Sequence, residues 1–228
     1  MASPSRASRS RRRTHFLLGF SVYFVLLWVF WNTPLVYPIQ VFVVFLHEIS
    51  HGLMAIATGG AIQRITLNPR LGGACYCAGG NAFLTLSAGY LGSLVWGGLI
   101  LEAGRRSGPH AHRVTTALGA FTLVVTILFV RSAFGILFGL LFGGALLAVA
   151  RLVGAQANRV ILMGLGLTSC LYAILDIKSD VIDRPQLPSD ARMLAELTGV
   201  PTVVWGVLWI TIAVLVSVWL VVRAYRDA

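Results

Sequence analysis

The chain has 228 residues, of which 57% are hydrophobic and only 11% are charged. An average soluble domain has about 25% charged residues, so this composition excludes a water-soluble globular protein. The formal net charge is +10, and the basic residues stand beside or between apolar runs. They form no basic face of a soluble fold, so we expect the lipid bilayer, and no nucleic acid, among the partners.

The first 13 residues are polar and carry five arginines, three of them consecutive at Arg11, Arg12 and Arg13. Such a segment cannot bury enough apolar surface to fold alone. Residues 1–13 are therefore predicted to be a disordered basic tail on the cytoplasmic leaflet. No small-residue cleavage site follows the first apolar stretch, which predicts an uncleaved membrane anchor.

Seven apolar segments follow, most of them long enough to cross about 30 Å of hydrocarbon as helices. We predict an all-α polytopic membrane protein with about six or seven transmembrane helices, forming a single membrane domain over residues 14–228. The fourth and fifth segments are short and could form a re-entrant pair. We expect a multi-pass protein of the cell membrane, specifically a bacterial plasma membrane. The segments lie near 16–31, 36–57, 82–102, 114–130, 133–150, 158–177 and 202–223.

A non-helical pattern separates the second and third spans, over residues 61–80. Ile65 and Leu67 alternate with polar residues, as in a strand. The Asn-Pro-Arg-Leu-Gly-Gly run at 68–73 predicts a turn, and residues 74–78 can form a return strand. We therefore predict a short β-hairpin. It must be covered or line a wet cavity, because an open strand edge facing lipid is too costly.

Three cysteines occur in the chain, at Cys75, Cys77 and Cys170. An odd and sparse set predicts no disulfide framework. Cys75 and Cys77 lie on one face if their segment is a strand. We interpret them as small strand residues rather than metal ligands.

The second span contains His47-Glu48-Ile49-Ser50-His51. Positions i and i+4 of a helix lie on one face, about 6 Å apart along its axis, so His47 and His51 can bind one zinc ion. Glu48 lies beside that face and can act as the general base on a zinc-bound water. We predict His47 and His51 as metal ligands, Glu48 as the catalytic residue and Zn²⁺ as the cofactor.

The alternative, purely structural interpretation of this motif is a set of hydrogen-bonded polar side chains that only help helices to pack. The membrane setting argues against it, because a charged group near the middle of a span costs about 2.5–3.5 kcal/mol on insertion scales. Three polar side chains in five positions are hard to explain at that cost without a function. A metal site is therefore the favoured interpretation.

Zinc requires a third protein ligand and an open coordination position. Asp176 is the favoured third ligand, because it directly follows a long apolar run at the end of the sixth span. Asp180, four residues on, and Asp190, in the following loop, are the alternatives. Counting 1.5 Å per residue places His47 and Asp176 at depths that differ by roughly 10 Å. Ligation by Asp176 therefore requires the sixth span to start later, tilt or break.

Several segments, taken in order, resemble the site-2 protease family of intramembrane zinc metallopeptidases, and more narrowly its compact peptidase M50B-like branch. The resemblance covers residues 36–210 approximately. It implies two His ligands, a Glu base, an Asp ligand from a later helix and cleavage of a membrane-embedded segment. The typical Asp-Gly of the family is Asp176-Ile177 here, a departure that bears on the Asp ligand. The matching segments are Phe45–Gly52, Thr58–Gly60, Ala88–Gly92, Leu175–Ile177, Ser189–Ala191 and Trp205–Gly206.

The sequence is thus interpreted as that of a zinc-dependent intramembrane endopeptidase with a membrane protein as substrate. Two alternatives stay open: a non-proteolytic membrane protein with a structural or regulatory metal site, and a metal-ion transporter. Glu48 discriminates among the three. A peptidase needs Glu48 as a base, a structural site does not need it, and a transporter could use it as a ligand.

Overall fold

The structure is a computed structural model that describes residues 6–183 and 188–227. Over these residues the chain forms eight α-helices and one β-hairpin. A single turn of π-helix, Ser179–Asp183, directly continues the sixth helix. The elements in order are α1 (Arg6–Phe30), α2 (Tyr37–Ala57), β1 (Ala61–Asn68), β2 (Gly72–Ala78), α3 (Ala82–Arg106), α4 (Ala111–Phe129), α5 (Ala133–Leu152), α6 (Ala155–Lys178), α7 (Asp190–Thr198) and α8 (Thr202–Asp227).

Six helices of the described chain, α2 to α6 and α8, are long and apolar enough to cross a membrane. This confirms the predicted all-α polytopic fold with about six or seven spans. The predicted first span falls in α1, whose apolar part is Leu17–Phe30. Those 14 residues reach about 21 Å as a helix at 1.5 Å per residue, which is less than the hydrocarbon thickness of about 30 Å.

The N-terminal basic segment differs from the prediction of a disordered tail. Residues 6–13 continue α1 as helix, while residues 1–5 lie outside the described residues. The reason is local, because residues 6–13 contain neither Gly nor Pro. An arginine-rich segment joined to an apolar helix can therefore extend it without a break.

The second span, α2, is the most enclosed of the six. Phe42, Phe45, Leu46 and Ile49 have at most 1% of their surface exposed. A helix enclosed to this extent lies inside the bundle rather than at its surface. It is packed by α3, α6 and the hairpin.

Small residues on α3 let that helix approach its neighbours closely. A Cβ added at Gly97 would lie 2.8 Å from Cys170 Sγ, and one at Gly104 would lie 2.9 Å from Leu162 Cβ. These pairs show that α3 and α6 run in opposite directions. The C-terminal end of α6, with Asp176, is thereby brought toward the N-terminal part of α3.

The hairpin is the predicted one, with β1 and β2 antiparallel and Ile65 opposite Cys75. The outer edge of β1 is covered by the connection between α4 and α5. The Arg131 amide donates to the Ile65 carbonyl at 2.9 Å, and the Ser132 hydroxyl contacts both the amide and the carbonyl of Leu67 at 2.9 Å. Among the described residues, no backbone group outside the hairpin pairs with the outer edge of β2.

Cys75 and Cys77, which the sequence analysis interpreted as small strand residues, are bonded to each other in a single disulfide. The pleat of β2 places the side chains of residues i and i+2 on the same face, so the two sulfur atoms lie on the same side of the strand. Cys170 is a free, buried thiol in α6.

The contact between α4 and α5 provides a test of the packing. A Cβ at Gly139 would overlap the Thr126 side chain, with Cγ2 only 2.7 Å away, whereas a Cβ at Gly144 on the same helix meets nothing within 4 Å. Overpacking of this kind costs about 1–3 kcal/mol. We expect Gly139→Ala to lower the thermal unfolding midpoint of the detergent-solubilised protein. Gly144→Ala is the matched control and should leave the midpoint unchanged or slightly higher; equal losses in both variants would contradict this packing.

Candidate functional site

The two histidines of α2 meet in the middle of that span. The Nε2 atoms of His47 and His51 lie 3.0 Å apart, as expected for side chains one helical turn apart on one face. His47 is residue 11 of the 21 residues of α2. His47 is therefore the central residue of the span, and His51 lies one turn closer to its C-terminal end.

Each imidazole ring is oriented by α3. The Nδ1 of His51 contacts the carbonyl oxygen of Thr85 at 2.7 Å, so Nδ1 carries the proton and Nε2 keeps its lone pair in the neutral ring. The His47 ring packs edge-on against the Tyr90 ring, with 4.8 Å between centroids. Gly89 of α3 faces the His47 and His51 rings, and a Cβ there would overlap both imidazoles. Close approach of α3 to the histidines therefore requires glycine at this position.

Asp190 supplies a third polar atom at the same point. Its Oδ2 lies 2.9 Å from the Nε2 of His47 and 3.1 Å from the Nε2 of His51. Burial alone would raise the pKa of this carboxyl, but the charges and hydrogen bonds of His51 and His47 hold the pKa well below its usual range. The three side chains are thus arranged as a compact group of two nitrogen atoms and one oxygen atom.

The short helix α7 presents Asp190 at its first position. The Ser189 hydroxyl caps the helix by accepting a hydrogen bond from the Arg192 amide at 3.3 Å. Ala191 and Leu194 have no exposed surface. They pack with side chains of α3, α6, the π turn and α8: Tyr90, Ile177, Val181 and Trp209. This apolar cluster fixes α7, and with it the carboxylate, beside α2.

Asp176 and Asp180, the other two predicted carboxylates, line a cavity that His47, His51 and Asp190 also line. Asp180 accepts a hydrogen bond from the Tyr90 hydroxyl at 2.7 Å. Asp176 lies outside the compact group formed by His47, His51 and Asp190. Its assignment as a metal ligand stays a prediction, but the geometry favours Asp190 for that position.

Glu48 is enclosed between α2 and the hairpin, with only 5% of its surface exposed. The backbone amide of Cys75 in β2 lies beside its carboxylate. Gly73 passes so close that an added Cβ would lie 2.6 Å from Glu48 Oε1. Strand β2 thus positions the carboxylate, and the glycine makes room for it.

A cavity of about 760 Å³ joins these groups. Its wall contains the two histidines, Glu48, the three aspartates and the β2 segment 72–75. A space of this size holds several water molecules and a short stretch of polypeptide. It brings together every site residue that the sequence analysis named.

Asp190 was predicted only as an alternative third ligand, because its segment was interpreted as a loop. A local signal for α7 was present. Ser189 is a favoured N-cap residue, Arg192 and Glu196 form an i,i+4 ion pair at 3.1 Å, and Gly199 ends the helix with a positive φ of 75°. These features predict a short helix that begins at Asp190, but they do not show what it packs against.

The model of a family described as Peptidase M50B-like matches residues 20–220. No curated protein and no solved structure matches the chain.

Proposed function

Because the chain belongs to the Peptidase M50B-like family of the site-2 proteases, we propose that it is a zinc-dependent intramembrane endopeptidase. One observation carries this proposal. Two imidazole nitrogens and a carboxylate oxygen converge within 3.1 Å of one another inside a membrane-spanning bundle, beside a second, buried carboxylate, Glu48.

The donor set fits zinc. Two His and one carboxylate are ligands of catalytic zinc sites, which keep a fourth position open. The hydrogen bond from His51 Nδ1 to the Thr85 carbonyl is the outer-shell contact that orients a ligating imidazole and leaves Nε2 free to coordinate. His47, His51 and Asp190 would therefore hold the ion. Zinc, when bound, supplies a Lewis acid that lowers the pKa of water toward about 7.

Glu48 is proposed to act as the general base. It shares the cavity with the ligand group but is not part of that group, so it is free to accept a proton. The Cys75 amide holds its carboxylate in place. A base held in this way can take a proton from the attacking water and then deliver it to the amide nitrogen of the leaving group.

The outer edge of β2 is proposed to bind the substrate. The peptide bonds of a transmembrane helix are shielded by their own hydrogen bonds, so cleavage requires an extended substrate segment. The outer edge of β1 is occupied by residues 130–132, whereas the β2 segment 72–75 faces the cavity. A substrate strand added there would be held by main-chain hydrogen bonds beside Glu48.

The first prediction separates the base from the ligands. Glu48→Gln should retain zinc in the purified protein, because the ligand group is intact, and should lower cleavage of a membrane-protein substrate by about 100-fold or more. His47→Ala should lose both zinc and cleavage. Elemental analysis and a cleavage assay measure the two quantities. Glu102→Gln, at an Arg-paired glutamate far along α3, is the control; full activity in Glu48→Gln would refute the mechanism.

A second prediction concerns the third ligand. Asp190→Asn should weaken zinc binding by about 100-fold or more, because it removes a charged donor, whereas Asp176→Asn should bind zinc within a few-fold of the unmodified protein. Both changes preserve side-chain size and touch the same cavity. Competition with a zinc chelator measures the affinities. Loss of zinc in Asp176→Asn, with normal zinc binding in Asp190→Asn, would identify Asp176 as the third ligand instead.

The hairpin gives a third prediction. Replacing residues 61–78 by a flexible linker should abolish cleavage, because the substrate loses its template strand and Glu48 loses the Cys75 amide. Zinc should stay bound, since none of the three ligands lies in the hairpin. Cleavage at the original rate after this replacement would exclude the hairpin from substrate binding.

A further inference from the structure

The disulfide between Cys75 and Cys77 has no part in the mechanism above, yet it lies in the strand that faces the site. Both side chains are half-buried, and Cys75 is part of the cavity wall. The sulfur of Cys75 also lies near α2, 3.5 Å from where a Cβ on Gly52 would be. The bond therefore lies within reach of small molecules that enter the cavity.

Both cysteines also direct their backbone groups toward the outer edge of β2. On β1, Ile65 and Leu67 direct their backbone groups to the outer edge, where they contact Arg131 and Ser132. Their partners across the hairpin, Cys75 and Gly73, direct theirs to the opposite edge, because outward groups alternate in antiparallel pairs. The Cys75 amide that contacts Glu48 confirms this direction. By the same alternation the outward set on β2 includes Cys77.

The bond sets the spacing of this edge. The Cα atoms of Cys75 and Cys77 lie 5.8 Å apart, whereas residues i and i+2 of an ordinary strand are about 6.6 Å apart. An extended peptide that pairs with β2 keeps the ordinary spacing. The bonded strand therefore matches such a peptide less well than an unbonded strand would.

We propose that Cys75 and Cys77 form a reversible dithiol–disulfide site that exchanges with small thiols, and that the disulfide form cleaves substrate more slowly than the dithiol form. The second part rests on the proposed peptidase function. The site thus combines a chemical modification with control of the strand that positions both Glu48 and the substrate.

The exchange is an ordinary two-step reaction. The thiolate of a small thiol attacks one sulfur of the pair, which forms a mixed disulfide and breaks the Cys75–Cys77 bond. The released cysteine thiolate takes a proton from water. A second small thiol, as its thiolate, attacks the mixed disulfide, so the small thiol leaves as its own disulfide and the second cysteine is protonated. The cysteines gain two electrons and the small thiols lose two.

The test uses the full chain in detergent or lipid nanodiscs, equilibrated with reduced or oxidised glutathione. Thiols are counted by alkylation after denaturation, and cleavage of a membrane-protein substrate is timed in parallel. We expect three thiols and the faster rate in reduced glutathione. In oxidised glutathione we expect one thiol, that of Cys170, and a rate at least about threefold lower that recovers on reduction.

Two variants complete the experiment. The double variant Cys75→Ser, Cys77→Ser should cleave at a rate that does not depend on glutathione, while Cys170→Ser should respond as the unmodified protein does. Three thiols under both conditions would overturn the exchange site. Equal rates, or a faster rate in the disulfide form, would overturn its effect on cleavage. A thiol count that switches in a protein that cleaves nothing would preserve the exchange site and overturn the control of cleavage, and the failure would then lie with the proposed peptidase function.

Discussion

The structure depends on one constraint: three ionisable side chains, His47, Glu48 and His51, lie within five residues near the middle of a membrane-spanning helix. Each charged group at such a depth costs about 2.5–3.5 kcal/mol on insertion scales. The bundle offsets this cost by enclosing them with polar partners. These partners come from three different elements: the Thr85 carbonyl from α3, the Asp190 carboxylate from α7 and the Cys75 amide from β2. All three elements must therefore pack against α2 to provide polar contacts for its ionisable side chains.

The partners can come close only where side chains are small. Gly89 brings α3 against both imidazoles, Gly92 brings it against Ser50, and Gly73 brings β2 against Glu48. Dispersion contacts drive helix association in lipid, where no hydrophobic effect acts between helices. The same small residues therefore hold the bundle together and bring the polar groups into contact. A methyl group at any of these positions would overlap a side chain of α2.

The hairpin resolves a conflict between lipid and water. Strand edges cannot face hydrocarbon, because unpaired amides and carbonyls there cost several kcal/mol each. One edge is closed by Arg131 and Ser132, and the other faces a cavity of about 760 Å³ that polar side chains share. In the described part of the chain, the only edge of the hairpin without a backbone partner thus faces this cavity. In the proposed reaction that edge holds the substrate, and the Cys75–Cys77 bond changes its spacing.

Most of the fold was predictable from the sequence because its determinants are local. Apolar length predicts the spans, residue alternation around a Gly-rich turn predicts the hairpin, and the i,i+4 spacing of His47 and His51 predicts their shared face. The third side chain of the candidate metal site was not predictable in this way. Asp190 and His47 are separated by 143 residues, and the carboxylate reaches the histidines only because Ala191 and Leu194 bury α7 against α3, α6 and α8. A capped helix start can be recognised from a few neighbouring residues, but the surface on which that helix docks is decided by tertiary packing.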